Sequence, residues 1–132
     1  IIFTKIVEEE LDNHNDLQSL HKKIISQLTS LVSSIYQSSS RSENLALRFI
    51  HHRDVLDSLV NAKEVIRGVS DWAWQKHMRH YMNNGSVVRM GLAEMTYSYE
   101  YQGTSIGLVY TSLTDRCFLA LTQAIHFGFG GG

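Results

Sequence analysis

The sequence predicts a mainly α-helical chain with a small antiparallel β element, which is an α+β fold. Apolar residues recur at spacings of three and four through the first half of the chain, as one face of a helix requires. After residue 84 the pattern changes to short runs rich in β-branched and aromatic residues, and a helical spacing returns near the C-terminus. With 132 residues, the chain is long enough to bury one modest core.

The first half of the chain is predicted to form two long helices. One apolar stripe recurs along the first of them, and its members are Leu17, Leu20, Ile24, Leu28, Leu31 and Ile35. We interpret residues 11–36 as one amphipathic helix, whose stripe packs in a core or an interface. The serine-rich residues 37–42 indicate a loop. The second helix is expected to begin at Ser42, with Glu43 in its first turn, and to end near Gly68.

A third helix is predicted to begin at Ser70 or Asp71 and to run to a turn at residues 83–85, where the sequence reads Asn-Asn-Gly. Its large side chains are Trp72, Trp74, Met78 and Tyr81. Because two residues advance a helix by about 200°, Trp72 and Trp74 should pack against different neighbours.

Residues 97–101 and 108–111 are predicted to form a hairpin or two neighbouring strands. The first run reads Tyr-Ser-Tyr-Glu-Tyr, which alternates aromatic and polar side chains with the period of a strand. Residues 102–105 interrupt the pattern, and the second run reads Leu-Val-Tyr-Thr. Residues 87–90, which read Val-Val-Arg-Met, are a further strand candidate.

A final helix is predicted after Thr114 or Asp115, either of which can cap it. Apolar residues recur along it at helical spacing, namely Phe118, Leu121 and Ala124 or Ile125. Gly128 supplies a left-handed stop. Glycines that follow a packed element, as residues 130–132 do, often lead into backbone that approaches a phosphate. Because the chain begins at Ile1 and ends in glycines, we expect it to be an internal segment of a longer protein.

Composition argues against two classes of partner. The formal net charge is −1 and the pI is about 6.7, and Lys and Arg are dispersed, so we expect no nucleic-acid partner. No apolar run approaches the roughly 18 residues that cross a bilayer, so we expect no membrane insertion. The single cysteine, Cys117, excludes an internal disulfide and suits a reducing cytoplasm.

The sequence offers no catalytic residue and no metal ligand set. Among the seven histidines only His77 and His80 share a helical spacing, and the one cysteine lies far downstream, so we expect no metal site. The histidines are interpreted as solvated or hydrogen-bonded helix residues. Cys117 is interpreted as a small buried thiol and not as a nucleophile, because no histidine lies at a recognisable motif spacing from it.

The C-terminal third contains the most distinctive motif of the chain. Its notable residues are Tyr97, Tyr99, Glu100, Tyr101, Gly103, Leu108, Val109, Thr111, Leu113, Thr114, Asp115, Arg116, Cys117, Leu119, Leu121, Thr122, Ala124, Gly130 and Gly131. This pattern resembles the start of the first ATPase module of dynein heavy chains, just before the phosphate loop. Upstream, residues 71–76 (Asp-Trp-Ala-Trp-Gln-Lys) resemble the Trp-x-Trp segment near the end of the linker of that family. The details lean toward the cytoplasmic and intraflagellar-transport branches.

The resemblance implies a fragment of a dynein linker and of the N-terminal edge of an AAA+ module. Residues 1–84 would be the helical linker segment, and residues 85–132 a strand pair and a helix that lead into the first module. The parent protein would be a minus-end-directed microtubule motor that hydrolyses ATP. Its partners would be the rest of the motor ring, the dynein intermediate and light intermediate chains, and microtubules. Its location would be the cytoplasm and cytoskeleton, and the cilium.

The resemblance also implies a site for ATP or ADP with Mg. Aliphatic side chains and exposed backbone suit the flat adenine ring, although residues 108–114 alone are more typical of a generic strand end. By carry-over from the family, the adenine contacts would be Leu108, Val109, Thr111, Leu113 and Thr114. The phosphate and Mg ligands would follow Gly132, so the chain should be inactive alone.

One position departs from the family pattern. Ser112 stands where the family has proline, and the chain contains no proline at all. Because proline would fix the backbone angle, serine is expected to leave the loop more mobile and to weaken adenine binding. Two alternatives therefore stay open. The chain could be a stand-alone helical interaction domain that uses its amphipathic helix, or a degenerate dynein copy without a motor role.

Overall fold

The structure is a computed structural model that describes residues 1–13, 17–35, 40–62, 66–101, 103 and 107–130. Its elements in chain order are α1 (Ile2–Asp12), α2 (Leu17–Ile35), α3 (Ser40–Val60), α4 (Trp72–Gln75), β1 (Arg79–Met82), β2 (Ser86–Met90), β3 (Ala93–Thr96) and α5 (Ser112–Phe127). The predicted fold class, mainly α with a small antiparallel β element, is confirmed.

The helices α1, α2 and α3 enclose one hydrophobic core together with α4. Its buried members are Val7, Leu11, Leu20, Ile24, Val55, Leu56, Leu59 and Trp74. Val7 and Leu56 are completely buried. The stripe predicted on α2 is confirmed at Leu20, Ile24 and Leu28, which are all buried. The side chains at positions 31 and 35 lie outside the described part of the chain.

The three strands form an antiparallel sheet in the order β1-β2-β3. Val88 lies opposite His80 on β1 and opposite Met95 on β3. The turn at residues 83–85 is confirmed, with Asn84 at φ 48° and Gly85 at φ 133°. The strand predicted at residues 87–90 is also confirmed, as part of β2. The sheet therefore draws residues from both sides of position 84.

Helices are attached to the sheet at its β1 edge and at the turn between β2 and β3. At the β1 edge, the backbone N–H of His80 donates to Thr4 Oγ1 at 3.1 Å. At the turn between β2 and β3, Gln123 Nε2 donates to the carbonyl oxygen of Met90 at 2.7 Å. The N–H of Gly91 donates to the carbonyl of Gln75 at 2.8 Å. The sheet thus connects α1 and α4 with α5.

The third predicted helix is wrong over most of its length. Only residues Trp72–Gln75 are helical, and the residues that follow form β1. Met78 and Tyr81, which were expected on a helix, lie before and within that strand. Local spacing favoured a helix, but pairing with β2 and the hydrogen bond to Thr4 decide the conformation.

The predicted strands at residues 97–101 and 108–111 are also wrong. Strand β3 ends at Thr96, and neither run is a strand within the described residues. Tyr99 has a φ of 56°, which is incompatible with a continuous strand. Residues 102, 104 and 105 of the predicted interruption lie outside the described ranges.

The bounds of the first two long helices differ from the prediction. Leu11 belongs to α1, which ends at Asp12, so residues 11–36 are not one helix. The helix α3 begins at Ser40 and ends at Val60, well before Gly68. The predicted loop at residues 37–42 therefore overlaps α3, and its residues 37–39 lie outside the described ranges.

Candidate functional site

Three aliphatic side chains on the predicted adenine-contacting segment project into water. Leu108 and Val109 lie in the irregular stretch before α5, and their exposed fractions are 58% and 55%. Leu113, in the first turn of α5, is 70% exposed. Exposed apolar side chains this close in the chain are typical of a binding surface. All three are free to contact a ligand or another part of a larger protein.

The two threonines of the predicted site form the cap of α5. Thr111 is the N-cap, and its Oγ1 accepts the N–H of Thr114 at 3.3 Å. In return, Thr114 Oγ1 accepts the N–H of Thr111 at 2.6 Å. The prediction that Thr114 or Asp115 caps this helix is therefore wrong, because Thr114 supplies the second half of a capping box that begins at Thr111.

Ser112 occupies the first helical position of α5. Thr111 before it is extended, with φ −122° and ψ 168°. This is the conformation that a residue before proline prefers, and the first position of a helix is the one that best accepts proline. The backbone that proline would favour is therefore already present with serine. The expectation of a more mobile loop stays a prediction.

The segment before α5 is attached to α3 at two points. The side-chain Oδ1 of Asn44 accepts the backbone N–H of Gly107 at 2.7 Å. The imidazole ring of His51 stacks on the ring of Tyr110, with 4.2 Å between centroids and 28° between planes. Tyr110 also contacts Phe118 of α5, at 5.8 Å between centroids. These contacts fix the backbone on either side of Leu108 and Val109.

A half-open cavity of about 410 Å³ lies between α3 and the start of α5. Its lining residues are His51, Asp54, Val55, Ser58, Lys76, His77, Tyr110, Thr111, Ser112, Asp115, Arg116 and Leu119. Two acidic and two basic side chains face it, so the cavity has no strong preference for one sign of charge. It adjoins the threonine cap on the side of α3.

Burial lowers the pKa of two histidines that line this cavity. Burial, reinforced by the positive charge of Lys76, lowers the pKa of His77 to about 4. Burial also lowers the pKa of His51, partly offset by the carboxylates of Asp115 and Asp54. The Nε2 of His77 lies 3.3 Å from Ser58 Oγ, within hydrogen-bonding distance. From the sequence, we interpret the histidines as solvated or hydrogen-bonded helix residues. His77 is hydrogen-bonded but lies after α4 and not in a helix, whereas His51 is on α3 and packs against Tyr110.

Within the described ranges, no three His, Cys, Asp or Glu side chains are grouped so that they could hold a metal ion. No helix among the same residues is long and apolar enough to cross a bilayer. Cys117 is exposed, so the prediction of a buried thiol is wrong. It lies in the second turn of α5, which begins at Ser112.

The C-terminal part of this chain is similar in sequence to an ATP-binding region of known proteins. A family model described as "Hydrolytic ATP binding site of dynein motor region" matches residues 97–132. Cytoplasmic dynein 2 heavy chain 1 of Caenorhabditis elegans is 37% identical over 98% of this chain. The proteins of the same name from Tripneustes gratilla and Chlamydomonas reinhardtii are 46% and 43% identical over 66% and 69% of it.

The chain belongs to the dynein heavy chain family, as its sequence motifs indicated. It is similar to the cytoplasmic dynein 2 branch in particular. The chain spans only 2% to 3% of the length of these relatives. The matched region contains all five predicted adenine contacts and the whole of α5.

Asn44 and His51 were not identified from the sequence. Both lie on α3, far along the chain from the segment that they contact. A polar side chain on a helix gives no local signal that it will accept a bond from distant backbone. Only the three-dimensional structure brings them to the candidate site.

Proposed function

We propose that this chain works as a segment of a dynein-type motor ATPase. In this proposal residues 1–84 are the end of the mechanical linker, and residues 85–132 are the strands and helix that lead into the first ATPase module. The match of residues 97–132 to an ATP-binding region supports the proposal. The exposed aliphatic cluster of Leu108, Val109 and Leu113 within that region is the observation that carries it.

These side chains would cover the adenine ring of ATP or ADP. An adenine has apolar faces and a polar edge, so aliphatic groups beside free backbone provide a suitable contact. Leu108, Val109 and Leu113 would supply the apolar contact. Because the hydroxyls of Thr111 and Thr114 are engaged with each other, the threonines would contribute backbone and methyl groups.

The phosphates and Mg would be held elsewhere in the motor. No Gly-x-x-x-x-Gly-Lys-Ser/Thr motif is present in this sequence. When bound, Mg-ATP supplies the phosphoryl group whose transfer to water drives such motors. The residues of this chain would orient the base and would take no part in the chemical step.

The second proposed role is mechanical coupling between the linker and the ring. Glu8, Trp74 and Tyr81 join α1, α4 and β1 through hydrogen bonds. Gln123 joins α5 to the end of β2 in the same sheet. A displacement of the helices would therefore move α5 as well, provided that the sheet moves as a unit. Through the parent protein, the partners would be the motor ring, the intermediate and light intermediate chains, and microtubules in the cytoplasm or cilium.

In the alternative of a stand-alone interaction domain, the helix predicted at residues 11–36 forms either a bundle or a partner-binding surface, and burial disfavours the partner-binding surface. That reading requires the apolar stripe of α2 to be available to a partner. Leu20, Ile24 and Leu28 are instead buried against this chain. The coding sequence after residue 132 distinguishes a motor from a degenerate copy. A motor is expected to continue into a Gly-Lys-Ser/Thr phosphate loop.

The adenine contact can be tested in a purified heavy chain that carries this segment. We expect Leu108→Ser and Leu113→Asp to raise the KM for ATP at least roughly tenfold, because a lost apolar contact of this size is worth about 1.5–3 kcal/mol. Leu92→Ser is the matched control, since Leu92 is 67% exposed at the turn between β2 and β3. An unchanged KM for ATP in both site variants would reject the proposed contact.

A further inference from the structure

We propose that Asn44 and His51 are positioning residues of the nucleotide site, through which helix α3 sets the affinity for the base. This inference rests on the proposed adenine contact of Leu108 and Val109. Neither residue would touch the nucleotide. Each would act by holding the backbone that presents those two aliphatic side chains.

The first attachment requires a glycine. The amide of Gly107 approaches Asn44 so closely that a Cβ at this position would lie 2.9 Å from Asn44 Oδ1. Such a distance is shorter than side-chain carbons tolerate, so any larger residue would displace the asparagine or the backbone. The 2.7 Å hydrogen bond therefore depends on the glycine immediately before Leu108.

The second attachment lies three residues further on, at Tyr110. Its ring is stacked on His51 of α3 and makes a tilted contact with Phe118 of α5. Stacked aromatic pairs of this geometry stabilise beyond the area that they bury. Tyr110 is partly buried, whereas Leu108 and Val109 between the two attachments are exposed.

The distance between the two attachment points on α3 matches the distance between their partners on the segment before α5. Asn44 and His51 are seven residues apart, which is two helical turns, so both project from one face of α3 about 10 Å apart. Gly107 and Tyr110 are three steps apart along the chain, a separation that reaches up to about 10 Å. The segment can therefore be attached to α3 at two points with the same spacing. The exposed side chains of Leu108 and Val109 then move with that helix.

This arrangement gives α3 a direct connection to the candidate site that does not pass through the sheet. Any shift of α3 relative to α5 would displace Leu108 and Val109, since both attachments move with α3. Leu113 would move less, because it belongs to α5. In the proposed function, α3 is part of the linker, so linker position would change how well the base is covered.

The test uses a purified heavy chain that carries this segment and measures KM for ATP and kcat separately. We expect Asn44→Ala and His51→Ala each to raise KM roughly threefold to tenfold, as the loss of one hydrogen bond or ring contact would. The kcat should change by less than about twofold, because no chemical group is removed. Asn44→Asp, which keeps an acceptor oxygen, and His51→Phe, which keeps a ring, should restore the KM.

A combined variant distinguishes positioning from a general loss of stability. If the attachments act through the segment, adding Asn44→Ala to Leu108→Ser should raise KM by less than Asn44→Ala does alone. The inference would be overturned if Asn44→Ala raised KM by the same factor with and without Leu108→Ser. It would also be overturned if Asn44→Asp and Asn44→Ala were equally impaired.

The outcomes separate this inference from the proposed function. If Leu108→Ser raises KM while Asn44→Ala and His51→Ala do not, the positioning role is wrong and the adenine contact stands. If Leu108→Ser leaves KM unchanged, Leu108 does not contact the base and the positioning role is wrong with it; the adenine contact as a whole is rejected only if Leu113→Asp also leaves KM unchanged. If all three raise KM and the two conservative variants restore it, both hold.

Discussion

The indole N–H of Trp74 donates to the carboxylate of Glu8 across 66 residues of chain, with 3.1 Å between Nε1 and Oε1. The same oxygen accepts the hydroxyl of Tyr81 at 2.5 Å. Trp74 is 1% exposed, so its polar atom needs this partner inside the protein. Burial, together with the bond to Glu8, raises the pKa of Tyr81 to about 12. One carboxylate thus joins three elements.

Removal of that carboxylate should destabilise the chain. We expect Glu8→Ala to lower the free energy of unfolding by about 2 kcal/mol, since it leaves a buried indole N–H without a partner. Glu9→Ala is the control, because Glu9 is exposed and its only ion pair given by the described residues, to Lys5 at 3.8 Å, is a surface pair of small effect. Urea unfolding monitored by tryptophan fluorescence measures both. Equal losses would contradict the assigned role of Glu8.

A core substitution tests the helical packing. Leu56 is completely buried, whereas Leu45 on the same helix is 44% exposed. We expect Leu56→Ala to cost about 3 kcal/mol of unfolding free energy, because a cavity remains, and Leu45→Ala to cost below about 1 kcal/mol. Urea unfolding midpoints compare the two variants, provided that the dependence of the unfolding free energy on urea concentration is the same in both. A larger loss at position 45 would show that the outer face of α3 is misassigned.

Acid should destabilise the chain through His77. Its pKa is lowered from 6.5 to about 4, so below pH 6.5 the unfolded chain binds a proton that the folded chain excludes. Stability from this source is present at pH 7 and falls as the pH drops from about 6.5 to about 4. Between these pH values, the free energy of unfolding should fall by on the order of 2 kcal/mol less in His77→Gln than in the original chain.

The control for acid destabilisation is His126→Gln. His126 is exposed in the last turn of α5, so the same substitution there removes an imidazole without disturbing the buried core. Chemical unfolding at several pH values measures the slope for each variant. The same slope in His77→Gln and the original chain would mean that His77 is not held neutral.

Proline should be accepted at position 112. The residue is the first of α5 and the preceding backbone is extended, so Ser112→Pro should raise the free energy of unfolding by about 0.5–1 kcal/mol through a less flexible unfolded chain. Ser26→Pro, in the middle of α2, should instead cost about 3 kcal/mol or more. Thermal unfolding compares them. A lower melting temperature for Ser112→Pro would show that the start of α5 differs from that described.

Gly91 should resist replacement. Its φ is 57°, and an added Cβ would lie 2.8 Å from Gln123 Nε2, the atom that bonds to the carbonyl of Met90. We expect Gly91→Ala to cost about 1–2 kcal/mol, as left-handed strain and loss of that bond combine. Gly130→Ala meets no atom within 4 Å and should be neutral. Similar unfolding midpoints for the two variants would contradict the close contact.

Elements with a purely local cause could be predicted from the sequence. The apolar stripe of α2 requires a buried face, and Gly128 ends α5 in the left-handed conformation with φ 72°. Tertiary contacts decided the elements that were missed. Residues 79–82 carry a helix-like spacing, yet they pair with β2 because the Asn-Asn-Gly turn brings the two strands together.

The candidate site was predicted only in part for the same reason. The exposed residues Leu108, Val109 and Leu113 were identified because their motif is contiguous in the chain. Their supports on α3 were missed, because Asn44 and His51 carry no pattern that relates them to a segment about sixty residues away. Motif recognition finds the residues beside a ligand, and packing must be known before the residues that hold them can be named.

The exposure of Cys117 has a practical consequence. Since it is the only thiol in these 132 residues and is exposed on α5, a maleimide dye can be attached there without removing any other cysteine. If α5 is covered when the segment sits within an assembled ring, the labelling rate of this sulfur would fall on assembly. The chain therefore carries its own probe for whether that helix is docked.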